Sequence, residues 1–421
     1  MANVAKKLGF GLMRLPTTDG NPEHIDIPQV CRMTDVFMQN GYNYFDTSYV
    51  YHNGASEDAV RQCLAGRYPR ESYFLADKLP TFVITDESQV EAIFNESLAR
   101  TGAGYFDSYL LHNVNSARYD GVIAQCHMFD YVNRWKAEGR IRHIGISFHD
   151  SAEVLERVLS EHPEIEFVQI ALNYLDWEHA SVQSRRCYET VRRHGRQVIA
   201  MEPVKGGTLA QVPADVEALL RSPADGRSPV DWALLFCAGL DGVFSVLSGM
   251  SSLEQMEQNI RCLNSASALS AGELDLLAEA ARMMDGNMRF RLTEPEKYAA
   301  VCPEGIPVAE LLRYYNEATQ EIAPDFSSEL NYYGNLRDRS ERVSRCTGCG
   351  RCAGIMPGGD VPAALREAEA WLSEHFSSDT HKRPRDQDCP GGAYAKSRRR
   401  RAPGFFIHIL AYWNATSMTT L

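Results

Sequence analysis

Residues 73–79 read YFLADKL, an apolar and aromatic run that meets charge only at its end, where Lys78 stands. A short run of this kind predicts a buried strand, and the late lysine marks where the strand gives way to a loop. Seven further runs have the same build: GFGLMRL (9–15), YNYFDTS (42–48), DSYLLHN (107–113), RHIGISF (142–148), EFVQIAL (166–172), QVIAMEPV (197–204) and GVFSVLSG (242–249). Helical patterns such as SEDAVRQCLAGR and ESQVEAIFNESLARTG lie between them. Eight strands, most followed by a helix and spaced by roughly 30–35 residues, predict an α/β fold of the (β/α)8 TIM-barrel type. A doubly wound sheet also alternates strand and helix, but it normally carries G-x-G-x-x-G after its first strand, and no such motif follows here. In a barrel the chemistry sits where strands end on the C-terminal face. Asp46 closes NYFD, Lys78 closes FLADK, His112 closes YLLH, Ser147 closes IGIS, Gln169 sits in FVQIALN and Glu202 closes IAME. These polar groups are expected to converge on one rim.

The 421 residues allow one large domain and a smaller one. A formal net charge of −12 argues against general nucleic-acid binding, which needs a basic face for phosphates. The start, MANVAKKLGFGLMRL, has no long apolar core or cleavage-like site, and no run approaches the ~20 apolar residues of a membrane span. A cytoplasmic protein without a membrane span is the expectation. Seven scattered cysteines, Cys31, Cys63, Cys126, Cys187, Cys237, Cys262 and Cys389, read as reduced buried or surface thiols.

Carbonyl reduction by a nicotinamide needs a proton donor at the carbonyl oxygen and stabilisation of the charge that develops there. A tyrosine serves only if its phenol, with an ordinary pKa of about 10, is helped by a nearby ammonium. The segment GYNYFDTSYVYHNGASE carries Asp46 and, five positions on, Tyr51, FLADKLP carries Lys78 and DSYLLHN carries His112. In type and order these residues resemble the catalytic quartet of the aldo-keto reductases. The resemblance covers roughly residues 7–265 and includes KAEGRIRHIGISFH, FVQIALNYL and SVLSGMSSLEQMEQN. It implies that Tyr51 is the general acid, that Lys78 tunes it, that Asp46 pairs with Lys78 and that His112 orients an aldehyde or ketone, or the alcohol in reverse.

The same resemblance implies sites for NADP or NAD. Ser147 and Gln169 would hold the carboxamide, and Gly206, Gly207 and Leu209 would lie near the pyrophosphate. Gly249, Met250, Ser251, Gln255, Gln258 and Asn259 would surround the adenosine end. Two departures stand out. Many members place a tyrosine at the end of the seventh strand, where this chain has Met201-Glu202-Pro203. Many also have lysine and arginine where this chain has Gly249 and Gln255, which removes two charge-assisted contacts to a 2′-phosphate. Arg261 is a candidate to compensate.

Beyond residue 285 the pattern changes, so the expected division is a barrel over 1–285, a small α-rich ferredoxin-like iron–sulfur domain over 286–375 and a disordered tail over 376–421. The tail is polar and Pro/Gly-rich, with a basic run at Arg398–Arg401. Cys346, Cys349 and Cys352 form C-x-x-C-x-x-C, but Met356 stands before Pro357 where a ferredoxin motif has its fourth cysteine. In two-cluster ferredoxins that fourth cysteine serves the other cluster. The isolated Cys302-Pro303 supplies such a cross-ligand, giving Cys302, Cys346, Cys349 and Cys352 as ligands of one [4Fe–4S] cluster. Zinc on the same thiolates, or an empty remnant, are the alternatives. This pattern resembles bacterial aldo-keto reductases that carry a C-terminal ferredoxin-like domain. A second reading makes the chain a nicotinamide-redox sensor or electron-transfer module, with an electron-transfer protein as partner.

Overall fold

A computed structural model describes residues 4, 6–179, 181–223, 225–265, 267–286, 288–298, 301–319, 330, 332–334 and 341–376. Eight strands form a closed parallel barrel in sequence order: β1 (Leu8–Gly11), β2 (Tyr44–Asp46), β3 (Phe74–Pro80), β4 (Phe106–Val114), β5 (Ile141–Phe148), β6 (Phe167–Ala171), β7 (Gln197–Met201) and β8 (Val243–Ser248). β8 returns to pair with β1. All eight runs picked out in the sequence are strands, but two stop early. β1 ends at Gly11, and Leu12–Arg14 turn into a 3-10 helix. β7 ends at Met201 because Glu202 takes a φ of 56°, which no strand continues through, and Pro203 has no amide hydrogen for the ladder.

The lower barrel is plugged by an apolar cluster of Tyr44, Phe74, Ala76, Leu110, Phe167, Ile199 and Leu247. Tyr44 stacks on Phe74 with ring centroids 5.1 Å apart. Room for the plug depends on Gly145, where a Cβ would come within 2.3 Å of the Phe167 ring. Strand side chains alternate, so the next inward position above Tyr44 is Asp46, above Ala76 is Lys78 and above Leu110 is His112. By the same step Ser147 stands above Gly145, Gln169 above Phe167 and Met201 above Ile199. The period of two therefore sets a floor of apolar side chains beneath a ring that is polar except at Met201.

Amphipathic helices wrap the outside, among them Ile27–Gln39, Ser88–Thr101 and Pro229–Gly239. The last of these begins with a reciprocal cap between Ser228 and Asp231.

After the helix Ala271–Gly286, the described residues form the helices Val308–Ala318 and Val361–His375 with short 3-10 turns, and no strand. Leu311, Leu312, Ile355, Leu365 and Leu372 build a second core that also takes in Ala171, Val182 and Met201 from the barrel. The residue that closes β7 is thus turned into a core shared with the C-terminal segment. The expected tail lies, from residue 377 on, outside the described residues.

Candidate active site

Lys78 is the centre of the rim. Its side chain is buried, and its Nζ lies 2.5 Å from Asp46 Oδ1, 2.7 Å from the Thr47 carbonyl and 3.2 Å from the Tyr51 hydroxyl. Parallel pairing of β2 and β3 brings Asp46 and Lys78 to the same end of the barrel. Tyr51 enters from the turn after β2, where His52 and Asn53 both take left-handed backbone conformations. The His112 ring meets Tyr51 edge-on with centroids 5.8 Å apart, and its Nδ1 lies 3.0 Å from Ser48 Oγ. All four residues expected to form a quartet are brought together.

Burial alone would lower the Lys78 pKa, but Asp46 and then Tyr51 more than offset it, and the group is held above its ordinary range. Burial pushes the Tyr51 phenol up, and the opposing pull of Lys78 does not cancel it. A nearby ammonium by itself lowers a phenol. In the folded protein desolvation and the Asp46 charge outweigh that pull, so the resting phenol keeps its proton.

Ser147 and Gln169 are register partners on β5 and β6, and both are buried. The Gln169 Oε1 is buried and has no hydrogen-bond partner among the described residues. The turn after β7 carries Gly206 (φ 61°) and Gly207 (φ 104°), followed by buried Leu209. Thr208, between them, also has a buried hydroxyl without a partner among the described residues. Gly249, Met250 and Ser251 follow β8 directly. Gln255, Gln258 and Asn259 lie on the helix Leu253–Asn264, where their amides meet Ser251 N (2.8 Å), Ser228 Oγ (2.9 Å) and Ser248 Oγ (2.9 Å). Arg261, the expected compensating cation, is exposed on the same helix.

Four neighbours were not singled out in the sequence. His149, the residue directly after β5, lies with Nε2 3.1 Å from Ser147 Oγ. Burial first, then Arg118 and Lys78, hold its pKa down at about 3, so it is neutral. Arg118 donates to Asn113 Oδ1 at 3.1 Å and stands over Phe82 at 5.6 Å, and Phe82 in turn packs on His112 at 5.3 Å. No carboxylate pairs with Arg118 among the described residues, and burial lowers it to about 10. Arg14, after β1, lies along Gly249, where a Cβ would sit 3.3 Å from its Cδ. Lys205, beside the glycine pair, resembles a phosphate ligand in sequence but is bound to Asp176 (2.7 Å) and Glu317 (2.9 Å).

Cys302, Cys346, Cys349 and Cys352 line one small concavity together with Ile306, Val308 and Leu365. Among the described residues no three His, Cys, Asp or Glu converge closely enough to hold a single metal ion. Cys349 is exposed and the other three thiols are half-buried.

Residues 7–282 match the aldo/keto reductase family. L-galactose dehydrogenase of Arabidopsis thaliana is 24% identical over 295 residues, which cover 66% of this chain and 90% of that protein. An aldo-keto reductase of Bacillus halodurans in its holo form superposes with a TM-score of 0.54 at 25% identity, covering 66% of this chain and 92% of the other. An aldo-keto reductase of Klebsiella pneumoniae, solved in complex with NADPH, has the same fold, with a TM-score of 0.52 at 21% identity and coverage of 67% and 95%. No helix among the described residues is long and apolar enough to cross a membrane. With its barrel order, its rim and a family match over most of its length, the chain belongs to the aldo/keto reductase family and is an oxidoreductase of aldo-keto reductase type.

Proposed function

We propose that this protein is an NAD(P)H-dependent reductase of aldehydes or ketones that carry an anionic group, working in reverse on the matching alcohols. The observation that carries the catalytic part is the buried Lys78 ammonium set between Asp46 and the Tyr51 hydroxyl. A nicotinamide, when bound, supplies the hydride. Tyr51 gives its proton to the carbonyl oxygen, Lys78 stabilises the phenolate left behind, and Asp46 keeps Lys78 charged and in place. His112, fixed by Ser48, orients the carbonyl. A neutral His149 holds Ser147 in position without adding charge to the rim.

Ser147 and Gln169 fit the carboxamide, because the buried Gln169 Oε1 wants a donor. Gly206, Gly207 and Leu209 fit the pyrophosphate, with the Thr208 hydroxyl free to join them. Gly249, Met250, Ser251, Gln255, Gln258 and Asn259 line the adenosine end. Arg14, lying along Gly249, supplies a cation where many relatives place a lysine, so NADP and NAD both fit. Arg118 sets the substrate class. A half-buried guanidinium with no carboxylate partner among the described residues calls for an anion, and Phe82 places it on the His112 side, where substrate enters.

In the C-terminal segment the four thiolates of Cys302, Cys346, Cys349 and Cys352 hold one [4Fe–4S] cluster in a ferredoxin-like setting. Four thiols lining one concavity supply the ligand set of a cubane, with a single zinc ion on the same thiols as the alternative. The exposed Cys349 supports a partner-facing role, and with it the second reading as an electron-transfer or redox-sensing module.

The test is steady-state NADPH and NADH oxidation with pairs of carbonyl compounds of equal length, one carrying a carboxylate and one not. The anionic member is expected to have the higher kcat/KM by about tenfold or more, and Arg118→Met to abolish that preference. Equal use of both members, unchanged in Arg118→Met, would remove Arg118 from the account. No carbonyl turnover alongside rapid reduction of one-electron dyes would favour the second reading.

A further inference from the structure

We propose that Cys31 and Cys63 form a reversible dithiol–disulfide site that is oxidised by small-molecule disulfides, independently of the carbonyl chemistry. Their sulfurs lie 2.9 Å apart, inside the contact distance of two sulfur atoms and short of a bond. The two residues are 32 positions apart in the chain, and no motif links them. The fold joins them by laying the helix Ile27–Gln39 against the turn Arg61–Ala65.

The surroundings divide the labour between the two thiols. Cys31 is half-buried and reachable from solvent, whereas Cys63 is buried behind it, with its Sγ 3.6 Å from the Ile27 carbonyl. Cys63 lies in a π-helical turn, a wide and locally costly geometry that often marks a functional position. Arg67 brackets the pair from the solvent side. Its guanidinium donates to the Cys31 carbonyl at 3.2 Å and to the Cys63 carbonyl at 3.5 Å, and pairs with Asp35 at 2.8 Å. Burial pushes Cys63 up, which leaves it as the later, resolving group. Cys187, Cys237 and Cys262 also turn toward backbone carbonyls, but only Cys31 and Cys63 meet sulfur to sulfur among the described residues.

The step balances as two exchanges. The Cys31 thiolate attacks one sulfur of glutathione disulfide, forming a mixed disulfide and releasing one glutathione thiolate. Cys63, losing its proton, then attacks the Cys31 sulfur, forming the Cys31–Cys63 bond and releasing the second glutathione thiolate. Two protein thiols are oxidised and one small disulfide is reduced to two thiols. The bond would tie the first helix to the turn that continues from Ala55–Val60. That helix follows the Tyr51 turn, and its Ser56 donates to the Leu12 carbonyl at 3.1 Å.

The test uses the full-length protein under glutathione disulfide at graded ratios to glutathione, followed by thiol alkylation, non-reducing trypsin digestion and mass spectrometry. The expected product is peptide 15–32 joined to peptide 62–67, appearing before adducts on Cys126, Cys187, Cys237 or Cys262 and reversed by dithiothreitol. Oxidation should also raise the apparent Tm by about 5 °C, and Cys31→Ser and Cys63→Ser should each lose both the product and the shift. Should either variant fold poorly, the peptide pair in the unaltered protein still decides. A stable glutathione adduct on Cys31 with Cys63 still alkylatable, or a cross-link that forms only after denaturation, would overturn the proposal.

Discussion

At Lys78, three contacts act on one buried nitrogen. Replacing it with methionine removes the ammonium that opposes the upward shift of Tyr51 and leaves Asp46 buried beside an apolar chain. Lys78→Met is expected to lower kcat by about 10²–10⁴-fold while leaving cofactor affinity nearly unchanged, checked by stopped-flow turnover and fluorescence titration. His149 makes a prediction by silence. With its pKa held near 3, it should contribute no titration to the rate between pH 4 and 9, whereas His149→Asn should disturb Ser147 and raise KM for the cofactor. The quartet was legible in the sequence because three of its members interrupt apolar strands at their ends, where a polar residue has no packing role. Arg14, Arg118 and His149 were not. They sit in the segments that follow β1, β4 and β5, and only the fold shows that Arg14 fills the space Gly249 leaves, or that Arg118 has no carboxylate partner among the described residues.

At the level of elements, the strands followed from period-two patterning and the ends of two of them did not. Glu202 and Pro203 read as a continuation of QVIAM, yet a left-handed φ at Glu202 breaks the strand. Unforeseen too was the clamp between the barrel loops and the helix Val308–Ala318. Glu317 from that helix meets Lys205 at 2.9 Å and His179 at 2.8 Å, and Lys205 is also held by Asp176. Such long-range pairs leave no local signal. Burial alone would raise the Glu317 pKa, but His179 and Lys205 bring it down to about 2, against an ordinary 4.5. A depressed carboxylate stabilises the fold above its ordinary pKa, and that contribution fades as pH falls from 4.5 to about 2. The loss is on the order of 3 kcal/mol. Acid titration followed by tyrosine fluorescence should show the C-terminal segment loosening in that window. Glu317→Gln, which leaves Lys205 paired with Asp176, should cost about 1–3 kcal/mol at neutral pH and flatten the acid transition.

For the whole molecule, the barrel and the cysteine segment meet in a shared core through Ala171, Val182 and Met201. This gives the departure at the end of β7 a physical reason, since a residue there serves the C-terminal core. Anaerobic purification with an iron assay and a visible spectrum should find about four irons per chain. Cys302→Ser should lower that content as strongly as Cys349→Ser, although Cys302 lies far from the motif in sequence. The role of the rim is checked by turnover of Tyr51→Phe alongside its NADPH dissociation constant. The expected outcome is a fall in kcat of about 10³-fold or more with a dissociation constant within about twofold of the unaltered protein. Turnover that survives the loss of the Tyr51 hydroxyl would contradict it.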